Sequence, residues 1–197
     1  AAMVRAILER ACRAPSNGNL QPWRVMALAG APLADLKAAA LANPDGEPPE
    51  YAVYPDPLWD PLRTRRRECG EDLYATIGIP REDKVGRIGQ LLKNGQLFGA
   101  PVGLFFLVDR RCGLPQWGDV GMLMQTVMLL AEEQGLGTCA QGYWARYPQT
   151  LKRILDHDDD LMVCSGMALG WPDRAAPINT LRTRRDPLEA WGEMKGF

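Results

Sequence analysis

Apolar positions recur at helical spacing at the start of the chain. Val4, Ile7, Leu8 and Ala11 would line one face of a helix from Ala2 to about Arg13, ending ahead of Pro15. After a polar stretch, Trp23 to Leu28 is apolar enough for a buried strand. Ala29-Gly30 turns the chain, and Pro32 to Ala42 predicts a second helix with Leu33, Leu36, Ala40 and Leu41 inward. Arg81 to Leu92 resumes a helical pattern through Val85, Ile88 and Leu92, closed by Asn94-Gly95. The continuous run Pro101 to Asp109 predicts a central strand buried on both faces. The main helix follows, with Asp119 as its N-cap and Gly135 as its stop. Gly137 to Ala140 predicts a short strand, Pro148 begins a helix carrying Leu151, Ile154 and Leu155, and Leu161 to Leu169 predicts a last strand.

The main helix carries Val120, Met122, Leu123, Met124, Val127, Met128, Leu129, Leu130 and Ala131 over nearly its whole circumference, so it has almost no solvent face. Either it runs through the middle of one subunit, or it packs its own core on one side and a twofold mate on the other. In a chain of 197 residues the mate is the easier second cover. Gln125 would then need a polar partner in that interface. Tyr51 to Leu62, where prolines and aromatics alternate with acids, predicts an extended surface segment belonging to a lid. Arg63, Arg65, Arg66 and Arg67 could meet a phosphate but read as a solvated helix face. Ala175 to Phe197 has little apolar periodicity and three spaced arginines, Arg182, Arg184 and Arg185, as an arm would.

With 46% apolar residues the chain can bury a full core as one domain over 1–197, with a helical lid excursion at about 50–95 and a C-terminal arm at about 175–197. The net charge is −1, from 23 Lys plus Arg against 24 Asp plus Glu, which argues against nucleic acid or an anionic membrane as the main partner. Five widely spaced cysteines without a Cys-x-x-Cys pair indicate neither a disulfide framework nor a zinc site. His157, the only histidine, sits among solvated acids, and no metal is assigned. No leader or membrane-length apolar run is present, so a cytoplasmic protein is expected. Without a Ser-His-Asp set, a Cys-His pair or a metal cluster, no catalytic side chain is assigned; the pattern suits an enzyme whose difficult chemistry belongs to a cofactor.

The stretch Ala14 to Trp23 is the candidate ligand loop. Pro15 stops the preceding helix, Pro22 fixes the exit, and Gly18 permits a positive φ or a close approach to a ligand. Asn19 and Gln21 carry amides that both donate and accept, which suits the edge of a heteroaromatic ring. A polar connection from helix to strand is the alternative.

The order Pro15-Ser16-Asn17-Gly18-Asn19-Leu20-Gln21-Pro22-Trp23 resembles the flavin-facing loop of the nitroreductase family, dimeric FMN-dependent oxidoreductases. Further landmarks stand in the same order: Phe98-Gly99-Ala100-Pro101, Asp119-x-Gly121 with Gln125, Gly135-Leu136-Gly137, Ala168-Leu169-Gly170-Trp171 and Arg185-Asp186-Pro187-Leu188. The resemblance covers most of the chain from Ala14 onward. It implies an α+β fold, a mainly antiparallel central sheet flanked by helices, and a homodimer with the long helix in the interface and swapped C-terminal arms. By the same resemblance Pro15, Ser16 and Asn19 face the isoalloxazine, Gln141 and Gly142 form the turn whose backbone N–H groups approach the ring, and Arg185 with Arg182 holds the FMN phosphate, where a guanidinium fork suits phosphate oxygens. Arg184 competes for that role.

Two departures stand out. The family's Arg-Arg-Ser-x-Arg segment ahead of the first loop does not occur; the sequence opens Ala1-Ala2-Met3, and residues are expected to be missing at its start. Gln141 replaces an acid found in some relatives, so no side-chain role is assigned to it. The activity implied is hydride uptake from NAD(P)H followed by reduction of a nitroarene or quinone in the same cleft. A flavin reductase, dehalogenase or dehydrogenase on this scaffold, or a flavin-binding protein without turnover, is the alternative. Phe98, Tyr143 and Trp144 are candidate ring neighbours, although isolated aromatics more often serve core or surface packing.

Overall fold

Six α-helices and four strands follow one another as α1 (Ala2–Ala11), β1 (Trp23–Ala29), α2 (Gly30–Ala42), α3 (Leu62–Thr76), α4 (Lys84–Leu92), β2 (Val102–Asp109), α5 (Leu114–Glu133), β3 (Gly137–Gln141), α6 (Pro148–Leu155) and β4 (Leu161–Gly170). The computed structural model describes residues 1–197. They form two compact units, Ala1–Pro55 with Gly89–Pro172, and Asp56–Ile88 with Asp173–Phe197.

The first unit holds the sheet. Its order is β1-β2-β4-β3, every pair antiparallel, which is the α+β arrangement expected. β2 is central and its side chains alternate between two cores. Leu104, Phe106 and Val108 join Ile7, Ala11, Val120, Leu123, Val127 and Ala131 on one face, so α1 and α5 cover that side. Phe105 and Leu107 join Leu33, Leu36, Ala40, Leu97, Trp144 and Leu151 on the other, covered by α2, α6 and two 3₁₀ turns. The period-two pattern of a doubly buried strand thus builds two layers of helix around one sheet.

β4 changes sides partway along. Phe106 pairs with Ser165 but Leu107 pairs with Val163, so Cys164 is an extra residue that shifts the register. Val163 therefore belongs to the α6 side, whereas Met167 and Leu169, also odd-numbered, belong to the α5 side. The Cys164 carbonyl, displaced from the ladder, accepts the Tyr51 hydroxyl, and the Tyr51 ring packs edge-on against Trp117 at 5.0 Å. Tyr51 is anchored to the first unit by these contacts.

Several expected positions differ. α5 starts at Leu114, not Asp119: Gly113 is its N-cap, Pro115 sits in the first turn, and the Gly113 amide donates to Gln116 Oε1. Only one stripe of α5 is buried, Asp119, Val120, Leu123, Val127 and Ala131, while Met122 (40%) and Leu129 (63%) stay exposed. Gln125 lies outward in the single chain and has no interior partner to find. Leu41 points to solvent because the buried stripe of α2 passes through Leu33, Leu36 and Ala40 and ends one position earlier. Val85 and Ile88 are also exposed, whereas Leu92, at the end of the same stripe, is half-buried.

In the second unit α3 carries two sets of charged contacts. Arg87 of α4 makes a two-pronged bond to Glu71 at 2.8 and 2.9 Å and lies over the Tyr74 ring at 4.3 Å. Arg184 pairs with Asp72 and Glu68, and Arg65 with Asp186. The rest of 173–197 has neither α-helix nor strand, only turns and two short 3₁₀ helices, Pro177–Thr180 and Leu188–Ala190.

Candidate functional site

The Ala14–Trp23 stretch is a shaped loop, which separates it from a plain polar connection. Asn17–Asn19 forms one 3₁₀ turn, closed by Asn19 N–H to Ser16 O at 3.0 Å and Leu20 N–H to Asn17 O at 3.1 Å. Gly18, Asn19 and Gln21 all have positive φ, at 57°, 56° and 48°. Glycine takes that region freely and asparagine tolerates it; for glutamine it costs about 1–3 kcal/mol, so neighbouring bonds must hold it. They do: the Gln21 amide donates to Ser16 Oγ at 3.0 Å and its Nε2 to the Asn19 carbonyl at 3.3 Å.

One long-range bond ties the loop to the scaffold. The Asn17 amide donates to Asp119 Oδ1 at 3.1 Å, and Asp119 is buried on α5. Its other oxygen, Oδ2, is buried without a hydrogen-bond partner. Asp119 therefore serves the loop, and does not cap its own helix. The sequence signal for this was a lone acid on an apolar helical stripe. With Ala14 buried at one end and Asn17 held in the middle, Pro15 and Asn19 are exposed and Ser16 is half-buried.

Gln141 and Gly142 stand where β3 passes into the 3₁₀ turn Gly142–Arg146. The Gln141 side chain is buried and consumed internally: Nε2 donates to the Asn94 carbonyl at 2.9 Å and to Asn94 Oδ1 at 3.1 Å, and Oε1 accepts from Trp144 Nε1 at 3.4 Å. Only its backbone is left for a ligand. A Cβ at Gly142 would stand 3.0 Å from Val53 Cγ1, so glycine admits a close pass of the Val53 side chain. Trp144 is not a cleft residue: it is fully buried, edge-on to Phe105 at 5.5 Å, because the turn drives its indole into the α6-side core. The Tyr143 hydroxyl pairs with that of Tyr147 at 2.9 Å. Phe98 is exposed, on a left-handed backbone with φ 51° that follows Leu97 at 50°.

The three C-terminal arginines divide by partner. Arg184 is taken by carboxylates, with Nη2 2.8 Å from Asp72. Arg185 donates only to neutral oxygens, Thr183 Oγ1 at 2.7 Å and the Arg184 carbonyl at 2.9 Å. Arg182 likewise meets the Asn179 and Leu181 carbonyls, both at 3.1 Å. Pro15, Ser16, Asn19, Gln141 and Gly142 belong to the first unit, Arg182 and Arg185 to the second.

Burial pushes the Cys164 thiol up to about 12, so it is not a thiolate near neutral pH. No group of three His, Cys, Asp or Glu side chains is arranged to hold a metal ion.

Known proteins place these features. Nitrobenzene nitroreductase of Ectopseudomonas oleovorans is 38% identical over 191 residues, 95% of this chain and 84% of that protein. A 4-nitrobenzoate reductase of Pseudomonas putida is 36% identical over 196 residues, 99% of this chain and 86% of the relative. Among solved structures, the FMN- and NADPH-dependent nitroreductase NfnB of Sphigopyxis sp. strain HMH superposes with a TM-score of 0.96 at 44% identity, covering 100% of this chain and 90% of its own. The FMN-dependent NfnB of Mycobacterium smegmatis, in complex with NADPH, gives 0.90 at 27% identity, covering 98% and 88%. Residues 1–171 match the Nitroreductase family, and this chain belongs to that family.

Proposed function

We propose that this chain is an FMN-dependent oxidoreductase that takes hydride from NAD(P)H and reduces nitroaromatic or quinone-like acceptors. The relatives' activities support the reaction class. The observation that carries the cofactor assignment is the pair Arg182 and Arg185, exposed guanidinium groups whose bonds go only to neutral oxygens, beside an Arg184 already neutralised by Asp72. Two uncompensated guanidinium groups suit a phosphate dianion.

Bound FMN would supply the redox chemistry, passing electrons from the nicotinamide to the acceptor. Pro15, Ser16 and Asn19 would meet the ring: the Ser16 hydroxyl accepts from Gln21 and keeps its own hydrogen to donate, and the Asn19 amide offers a donor and an acceptor from an exposed left-handed position. The backbone at Gln141-Gly142 would contribute N–H groups, since the Gln141 side chain is occupied elsewhere. One cleft serves both flat substrates in turn. The working form is a homodimer, supported by the exposed apolar stripe of α5 at Met122 and Leu129. Within it the 50–95 segment would act as a lid and 175–197 as an arm. No helix is long and apolar enough to cross a membrane, and the five cysteines are free, which suits the cytoplasm.

Anaerobic titration of the purified, FMN-loaded protein tests the reading. NADPH or NADH should bleach the yellow protein, and nitrobenzene or 4-nitrobenzoate should restore the colour with the oxidised nicotinamide removed. Colour that no nicotinamide bleaches would leave a flavin-binding protein. Bleaching reversed by oxygen or free flavin but by no nitroarene or quinone would leave a flavin reductase.

A further inference from the structure

We propose that the ion pairs between α3 and the C-terminal segment are a positioning device that presents Arg185 to the FMN phosphate; this rests on the assignment of Arg185 made above. Arg65, Glu68 and Asp72 fall at i, i+3 and i+7, one face of α3. That face meets the segment with crossed signs: the helix cation Arg65 pairs with Asp186, and the helix anions Glu68 and Asp72 pair with Arg184, at 3.5 and 2.8 Å. The contact to Asp72 is two-pronged, through Nε and Nη2 of Arg184.

The segment around these residues has no helical structure, from Leu181 with φ −59° and ψ 129° to Pro187 with φ −64° and ψ 159°. Arg184 and Asp186 are held by α3, whereas Arg185 between them bonds to no carboxylate. A slip of two residues toward the helix cation would set Arg184 against Arg65, a like-charge contact, so the crossed pattern also holds the register. Arg185 folds back onto Thr183 Oγ1 and the Arg184 carbonyl, which orients its guanidinium without neutralising it. The clamp consumes two charges of the Arg184-Arg185-Asp186 triplet and delivers the third intact. Individually such half-exposed pairs are weak; their effect here is to settle the conformation of Arg185 before the ligand arrives. Asp72 is thus a positioning residue, acting through Arg184 on its neighbour.

Equilibrium titration of the full-length apoprotein with FMN and with riboflavin, which lacks the phosphate, separates the cases. Arg185→Ala should weaken FMN binding at least about tenfold, the scale of a lost charged hydrogen bond, and leave riboflavin unchanged. Asp72→Asn should weaken FMN alone, by up to about fivefold, the scale of one surface ion pair. Asp72→Glu, which keeps a carboxylate, should recover most of that loss, and Asp72→Asn should add nothing in an Arg185→Ala background. Equal losses for FMN and riboflavin in Asp72→Asn would mean general loosening and overturn the positioning role. An unchanged FMN affinity in Asp72→Asn, with Arg185→Ala still selective for FMN, would overturn it and leave the phosphate assignment standing. If Arg185→Ala shows no selectivity, the assignment and the positioning role fall together, and Arg182 is the next variant to titrate.

Discussion

The Asn17 amide and Asp119 Oδ1 meet at 3.1 Å across 102 residues of sequence, and this single bond fastens the ligand loop to the longest helix. Its geometry is one-sided, since Asp119 Oδ2 is buried and unpartnered. Asp119→Ala should cost about 0.5–1.5 kcal/mol by removing the acceptor of the exposed Asn17 N–H, and should raise the exchange rate of loop amides in hydrogen-exchange measurements. Asp119→Asn keeps an acceptor for Asn17, so its unfolding midpoint should stay close to the parent. Equal destabilisation by both variants would show that an acceptor for the Asn17 N–H is not what Asp119 contributes.

The stripe of α5 that faces outward bears on assembly. Leu129 is 63% exposed beside Met122 on a helix whose opposite side is core. Leu129→Glu should shift the protein from dimer to monomer in sedimentation at micromolar concentration, because a carboxylate would be buried without a partner in the interface. A parent protein that sediments as a stable folded monomer would remove the twofold reading.

Kinetics should report the single cleft. Donor and acceptor alternating on one ring face give parallel double-reciprocal lines and competition by each substrate at high concentration. Asn19→Ala should slow the reductive half-reaction in stopped flow by about tenfold if it removes about 1.4 kcal/mol of transition-state stabilisation, with FMN still anchored. Intersecting lines would mean that both substrates fit at once.

Tyr51 offers a pH-dependent check on the first unit. Burial, first, and the neighbouring Cys164 and Glu50 push its hydroxyl up to about 12 from the usual 10.0. The folded state therefore keeps the proton while the unfolded chain loses it, so this contribution is complete below about pH 10 and is lost as the pH rises towards about 12. Tyr51→Phe should flatten that part of the alkaline limb in denaturant melts, and at neutral pH should cost about 0.5–1.5 kcal/mol for the bond to the Cys164 carbonyl. An unchanged alkaline limb would show that Tyr51 ionises freely.

Local periodicity determined much of this protein. The doubly buried β2, the buried face of α1, that of α2 apart from Leu41, and the β4 strand were legible, because apolar spacing of two or three to four residues reflects burial directly. The turn chemistry of Pro15 to Pro22 was legible too, and with it the family, since positive φ and amide side chains are local properties. Tertiary structure decided which groups remain available. Asp119 looked like a helix cap because a cap and a buried acceptor have the same residue type, and only the path of the distant loop tells them apart. Trp144 looked like a ring neighbour until the turn after β3 placed it in the core. Gln141 loses its side chain to Asn94, 47 residues away, and Arg184 loses its charge to Asp72, 112 residues away. No window of sequence contains both members of those pairs. The outer stripe of α5 belongs to neither account alone: its apolar character is local, but that one chain leaves Met122 and Leu129 exposed is visible only in the folded structure.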